Sequence, residues 1–244
     1  MSRSMSWTFE YAARPRLVKR IIRARPSSEG VYNVRVLHWG EMAIACPVDL
    51  NTAVLRSEIS TMYGRVASEP DGDFHFHRGP AYAAEFLGYD AGELSGLPPD
   101  CTASFAGVGN PLAIGQIHAG ETVLDIGCGA GMDLLLAAKR AGPGGHAIGV
   151  DMTDAMIERA RKSVVESGLR QVEIRKGDAT SLPVPDSSIN VIISNGVLNL
   201  VPEKECAFAQ IVRVLVGGRL HLADIAIDVE LPKDARRNID LWTG

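Results

Sequence analysis

The stretch Thr122-Val-Leu-Asp125-Ile-Gly127-Cys128-Gly129-Ala130-Gly131-Met132-Asp133 decides the fold. Val123 to Ile126 is a short apolar run of the kind that forms a buried parallel strand. The glycines after it let the backbone turn sharply and leave no side chain where a ligand must approach. The apolar pattern that follows has helical period, so the next helix points its first amides at that ligand. A dinucleotide turn has the form G-x-G-x-x-G, and its third glycine would fall at Met132. Asp125 stands at the entrance of the turn, where a carboxylate suits an ammonium group better than a pyrophosphate.

The next apolar run, Ala147-Ile-Gly-Val-Asp151, ends in an acid 24 residues after Gly127. That is the interval at which a carboxylate accepts hydrogen bonds from ribose hydroxyls. Strand, glycine turn, helix, strand and acid in this order resemble the S-adenosylmethionine site of class I methyltransferases. A nicotinamide-dependent oxidoreductase is the rival reading, and Met132 and Asp125 disfavour it.

A length of 244 residues and a 46% hydrophobic fraction fit one globular domain with an appendage. No apolar run is long enough to span a bilayer. Cys46, Cys101, Cys128 and Cys206 are scattered without a C-x-x-C pair, which fits a reducing cytosol rather than a zinc site or disulfide framework. The expected location is cytoplasmic.

Residues 1–50 carry eight Lys or Arg against four Asp or Glu, leaving 17 basic and 25 acidic residues in the rest of the chain. An acidic body argues against a nucleic-acid substrate, because phosphate contacts need a positive face. The basic head lacks the apolar core of a secretory signal and has poor helical periodicity. It reads as a disordered or extraneous tail with no role in the fold, or as sequence upstream of a true start at Met42. A nucleic-acid arm or a targeting segment is the alternative.

Residues 51–111 read as an N-terminal helix and a cap over the site. Asn51 is the expected N-cap, with Leu55, Ile59, Met62 and Val66 at helical spacing and Tyr63-Gly64 on the same helix. His75 and His77 share one face if their segment is extended, but Phe74 and Phe76 favour docking over metal binding, and no metal site is expected. The segment 97–111 is irregular and rich in small residues. Its place before the first strand puts it over the mouth of the site. Its Cys101 is either a reactive thiol or a small packed hydrophobe.

Residues 112–244 read as the cofactor domain. One helix runs to Ala141 and stops at Gly142-Pro143. A second starts at Thr153 as N-cap, turns Met156, Ile157, Ala160 and Val164 inward, and ends at Gly168. A third strand, Val172 to Arg175, leads to Gly177-Asp178-Ala179. There Asp178 and the Ala179 amide can read an adenine edge, or Asp178 can simply cap a turn. Asn190 to Ile193 is a central strand ending in Ser194-Asn195-Gly196-Val-Leu-Asn199. Pro202 opens a helix with Phe208, Ile211, Val212 and Leu215 inward, Gly217-Gly218 ends it, and Leu220 to Asp224 is a fifth strand. Helices alternating with apolar strands give an α/β, doubly wound, mostly parallel sheet.

From about Asn51 onward the chain resembles the arsenite methyltransferase family within the class I enzymes. The resemblance is carried by Asp125 to Gly131, Ile148-Gly-Val-Asp-Met-Thr153, Arg175-Lys-Gly-Asp178, Ile193-Ser-Asn-Gly-Val-Leu-Asn-Leu-Val-Pro202 and Asp224-Ile225. It implies S-adenosylmethionine as methyl donor, with Asp125 on the ammonium across the turn of Gly127, Gly129 and Gly131. Asp151 would take the ribose, Asp178 and Ala179 the adenine edge, and Met152 the adenine face. The Ser194-Asn195 backbone would hold the methionine part, and Gly109 and Asn110 would close over the methyl. Cys101, Gly196 and Asn199 are the acceptor candidates. No general base is evident, so no catalytic residue is assigned.

The implied substrate is a small molecule, trivalent arsenic or its thiol conjugates. Gly196 stands where the family has a cysteine, and His75 and His77 stand near another family cysteine. A further one falls just past Trp242. Arsenite is thiophilic and needs several thiolates, so a small-organic O- or C-methyltransferase, or a non-catalytic cofactor-binding remnant, is the alternative. The class is similar in having seven strands, the last two a hairpin, and only 19 residues follow Ile225. The sheet is therefore expected to lack its C-terminal strands and to leave one edge uncovered. No oligomeric state is assigned.

Overall fold

The computed structural model describes residues 51–226 except 70, 71 and 75, together with the backbone strands β1 (Glu10–Tyr11), β2 (Val18–Pro26) and β3 (Tyr32–Val34). The expected histidine pair is divided by that limit. His75 and the start at Met42 lie outside the described residues, whereas His77 stacks on Tyr82 with ring centroids 5.3 Å apart.

The centre is a parallel sheet of β4 (Thr122–Ile126), β5 (His146–Asp151), β6 (Val172–Lys176), β7 (Ile189–Asn195) and β8 (Leu215–Ala226). The spatial order is β6-β5-β4-β7-β8, so the chain reverses direction across the sheet at β4. Asp125 pairs with Gly149 on one side and with Ile193 on the other. A crevice opens beyond the carboxyl ends of β4 and β7 at such a reversal, and that is where this architecture binds ligands. The expected doubly wound sheet is therefore present.

Both faces of the sheet are covered, as all-parallel pairing requires. Val123, Val191 and Ile193 point to one face, which packs on the helices α1 (Thr52–Ser68), α2 (Gly79–Leu87), α3 (Ala91–Ser95), α4 (Pro99–Ala103), α5 (Met132–Ala141) and α6 (Asp154–Ser167). Leu124, Ile126, Ile148 and Ile192 alternate to the other face and pack on α7 (Lys204–Val214) through Ala207, Ile211 and Val214. The period of two in the strands thus divides the core into two layers.

The helix ends follow their sequence signals. The Asn51 side chain accepts from the amides of Ala53 and Val54 at 3.0 and 3.2 Å, and Leu55, Ile59 and Val66 are buried beneath it. Gly142 ends α5 with its amide on Ala138 O, and Gly168 ends α6 in the left-handed conformation. Thr153 holds the N-cap position of α6 without a side-chain capping bond.

Four expectations need correction. Helix α7 begins at Lys204 and not at Pro202. It ends at Val214, and Gly217 and Gly218 lie inside β8 rather than at a helix stop. An added Cβ on Gly218 would fall on the Asn190 carbonyl, Gly217 has φ +56°, and the β7–β8 register shifts between Ile189 and Val191. Gly218 thus serves close strand approach and Gly217 a positive φ, at an irregularity of the pairing. The segment 97–111 is not wholly irregular, because α4 forms behind Pro98-Pro99. Finally, part of the basic head joins the sheet. β2 lies antiparallel to β8, with Val18 opposite Ala226 and Ala24 opposite Leu220, so that edge of β8 is paired. β1 and β3 pair with β2. The physical reason is the row of backbone donors and acceptors that an apolar edge strand presents to any compatible segment.

Candidate cofactor site

One cavity occupies the crevice. The glycine turn forms its floor, through Gly127, Gly129 and Ala130, and Asp125 lies at its base. Gly127 has φ +71° and Gly131 φ +98°, conformations that favour glycine. A Cβ on Gly127 would fall within the Val197 side chain, so this position needs glycine for space as well as for its dihedral. The turn is tied to the second strand. The amides of Gly127 and Cys128 donate to Val150 O at 2.8 and 3.1 Å, and Gly129 N donates to Asp151 Oδ2 at 2.9 Å. Asp151 Oδ1 accepts from Thr153 N at 2.8 Å. Asp151 therefore shapes the turn and also lines the cavity.

Asp125 is 2% exposed, and its Oδ2 has no hydrogen-bond partner. Burial, then the neighbouring Asp133 and Asp151 carboxylates, push it well above the usual carboxylate range, opposed by the Leu134 amide. A buried acceptor without a donor is costly, and three acids around one point create a strong demand for a cation. The residues fit a ligand with an ammonium group at this place.

Asp133, at the start of α5, was missed by sequence reasoning. Tyr89 Oη donates to its Oδ1 at 2.7 Å, and Asn195 Nδ2 donates to its Oδ2 at 2.9 Å. Burial pushes Asp133 up to about 6, against those two bonds. Asn195 also grips the cap. Its Oδ1 accepts from the Val108 and Gly109 amides at 2.8 and 3.1 Å, and its Nδ2 donates to Gly109 O at 2.8 Å.

Met152, Asp178 and Ala179 also line the cavity. Asp178 Oδ1 accepts from Thr180 N and Oγ1 at 2.7 and 2.6 Å, so the residue is a turn-capping acid as well. Asn195 and Gly196 also line the cavity. Ser194, Gly109, Asn110 and Asn199 stand behind the wall. Ser194 is fully buried with Oγ on Ile126 O. Gly109 is held by Asn195, and Asn110 caps Leu112 N with its Oδ1 and donates to Gly88 O. Ala106 and Gly107 line the cavity in place of Gly109 and Asn110.

Asn199, with its amide oriented so that nitrogen faces acceptors, donates to Asp224 Oδ1 at 2.6 Å and Gly196 O at 3.2 Å. Asp224 Oδ2 accepts from Asn199 N at 3.1 Å. This pair props the 196–202 loop. Burial pushes Asp224 up to about 7, against the bonds it accepts.

The two thiols that line the cavity, Cys101 and Cys128, are unfavourably disposed for chelation. Cys101 lines the cavity, but its Sγ donates to Pro98 O at 3.0 Å and burial pushes it up to about 12. Cys128 Sγ would be one of the nearest neighbours of a Cβ on Gly149, and the thiol packs with Leu134, Ala138 and Ala147 in the core. Gly196 has φ +70°, and its missing Cβ would face Val108. A side chain there would be strained.

Helix α1 contributes a stripe that includes Arg56, which the sequence reading did not single out. Arg56, Ile59 and Tyr63, at intervals of three and four, all line the cavity. Their signal was present as helical spacing, but only the fold shows what the face covers.

This architecture and site define a methyltransferase domain. The chain matches the methyltransferase domain family over residues 117–243, and it belongs to that family. It is similar to the arsenite methyltransferase of Halobacterium salinarum, 45% identical over 165 residues, which cover 67% of this chain and 42% of that protein. It is similar to the demethylmenaquinone methyltransferase of Listeria monocytogenes serotype 4a, 34% identical over 110 residues, or 45% and 46% of the two chains. Among solved structures it is similar to an arsenic (III) S-adenosylmethionine methyltransferase from Chlamydomonas reinhardtii, with TM-score 0.55 and 34% identity over 59% of this chain and 51% of that one. The chain spans about half the length of these relatives. S-adenosylmethionine is the cofactor that the family implies, and its ammonium group is what the partnerless Asp125 oxygen fits. Among the described residues no helix is long and apolar enough to cross a membrane.

Proposed function

We propose that this chain is the catalytic domain of an S-adenosylmethionine-dependent methyltransferase acting on a small molecule, with trivalent arsenic as acceptor. The observation that carries the cofactor reading is the buried Asp125 carboxylate, whose Oδ2 has no partner, lining the same cavity as the glycine turn. The similarity to arsenite methyltransferases supports the acceptor. When bound, S-adenosylmethionine supplies a methyl group already activated by a sulfonium. The chain's own residues then need only to hold the donor and acceptor in line and keep water out.

Asp125 holds the ammonium, and Asp151 takes the ribose hydroxyls. Asp178 and the Ala179 amide read the adenine, with Met152 against its face. Ala106, Gly107 and Tyr63 form the roof. Val197, Leu200, Val201 and Pro202 make the wall apolar, which excludes water from the acceptor end.

A second reading, O- or C-methylation of a small organic molecule, is favoured by the thiols. Cys101 is bonded to a carbonyl and Cys128 is packed in the core. One thiolate captures a thiophilic centre weakly, whereas two or three chelate it. If arsenic is the acceptor, it arrives with thiol ligands of its own, as a conjugate. Methyl transfer from labelled S-adenosylmethionine distinguishes the cases. Methylation of arsenite that depends on added glutathione and persists in Cys101→Ser supports arsenic delivered as a conjugate. Labelling only of organic acceptors would replace arsenic with the second reading.

A further inference from the structure

We infer that Arg56 of α1 is a positioning residue of the adenine subsite, acting through Asp178. The inference deepens the reading above and rests on its assignment of Asp178 to the adenine edge.

The geometry is a fork between three elements. Arg56 Nε donates to Asp178 Oδ2 at 3.0 Å, just past the end of β6. Its Nη1 and Nη2 donate to Glu203 Oε1 and Oε2 at 3.2 and 2.9 Å, at the N-cap of α7. A guanidinium is planar and presents its donors in fixed directions, so a bidentate grip on one carboxylate determines where the remaining donor points. Glu203 therefore orients Arg56, and Arg56 orients Asp178.

The consequence lies in the lone pairs of Asp178. Oδ1 accepts two bonds from Thr180 and is filled. Oδ2 accepts one from Arg56 and keeps one lone pair. That lone pair is the acceptor available to an exocyclic amine, and the Arg56 bond fixes its direction. Burial raises the Asp178 pKa, but the Thr180 bonds and Arg56 together bring it below the ordinary value. The carboxylate is thus kept ionised and acceptor-only, the state that favours an amine and repels a carbonyl at the same place.

The fork also makes α1 part of the site. Ile59 and Tyr63 continue the Arg56 stripe along the cavity. The ion pairs are partly exposed, with side chains 31% accessible for both Arg56 and Asp178, so their worth lies in orientation more than in stability.

The test compares two probes, S-adenosylhomocysteine and its inosine counterpart, which carries an oxygen in place of the exocyclic amine. Binding of each to the full chain is measured by calorimetry for the wild type, Arg56→Gln, Arg56→Lys and Asp178→Ala. The wild type should prefer the adenine probe, and Asp178→Ala should abolish the preference. Arg56→Gln should cut it about fivefold, the order expected for one charge-assisted contact. Arg56→Lys should fall between, because an ammonium keeps the charge but loses the fork. The ratio of two probes is insensitive to a general loss of stability. A full preference in Arg56→Gln, or in Arg56→Lys should the Gln variant not fold, with loss in Asp178→Ala, would overturn the role of Arg56 while keeping the adenine subsite. Equal binding of both probes to the wild type, or an unchanged preference in Asp178→Ala, would overturn the subsite and the inference together.

Discussion

Asn195 Nδ2, at the end of β7, donates to Asp133 Oδ2, at the start of α5, at 2.9 Å. Through that one side chain the cap, the central sheet and the helix behind the glycine turn are joined, since Asn195 also binds the amides of Val108 and Gly109. Its place at the carboxyl end of a central strand makes it the hinge between cofactor floor and acceptor cap.

Asn195→Ala should therefore leave the Val108 and Gly109 amides and the Asp133 carboxylate short of partners. The expected loss is roughly 1–3 kcal/mol of unfolding free energy, the cost of a partly buried polar group left unpaired. S-adenosylmethionine affinity should fall in parallel, because the cap loosens over the cavity. Denaturant unfolding and calorimetry check both. An unchanged midpoint and affinity would show that the network carries no energy.

The acids at the turn make stability and binding depend on pH in opposite directions. Asp133 is pushed up to about 6, Asp125 is raised beyond the ordinary range, and Asp224 is pushed up to about 7, in each case first by burial. An acid whose folded pKa exceeds its unfolded value, about 3.9 for Asp, contributes stability that is full below that value and is lost as pH rises through the folded pKa. The free protein should lose stability between about pH 4 and about pH 7. An ammonium group needs the ionised carboxylate, so S-adenosylmethionine should bind more tightly as pH rises through the same window. Unfolding and binding measured across it, with Asp133→Asn flattening both profiles, is the expected outcome. Profiles that rise and fall together would contradict it.

The edge formed by β2 and β8 yields a third expectation. Removing residues 1–41 takes away the strand that pairs with β8 from Val18 to Ala24. The thermal midpoint should fall, while S-adenosylmethionine affinity changes little, since β8 contributes to the cavity only through the loop it props. An unchanged midpoint would return the head to the role of a tail without structure.

The legible and illegible parts of this chain divide along a physical line. β4, its glycine turn, Asp151 and the Asn51 cap are local: each is an apolar run, a dihedral requirement or a side chain that reaches its own backbone. The start of β8 was misread because paired glycines signal a helix stop and a strand irregularity equally well, and only the Asn190 carbonyl opposite Gly218 decides between them. The partners of Asp133 and Asp178 were illegible for another reason. Tyr89, Asn195 and Arg56 lie 44, 62 and 122 residues away from the acids they bind, and no spacing rule links such positions. Gly107 lines the cavity and Gly109 and Asn110 do not, because the Val108 and Gly109 amides are taken up by the Asn195 side chain, a bond that no spacing rule foretells.

The central claim is that Asp125 and the bare turn bind the ammonium-bearing end of S-adenosylmethionine. Calorimetric titration of the full chain, of Asp125→Asn and of Gly129→Val tests it most directly. Gly129 has φ +52° and lines the cavity, so a branched side chain there both strains the turn and fills the space. The account predicts micromolar binding by the wild type and at least a tenfold loss in each variant, about 1.4 kcal/mol or more for a charge-assisted contact in a buried site. Undiminished binding by both variants, with their folds intact, would contradict it.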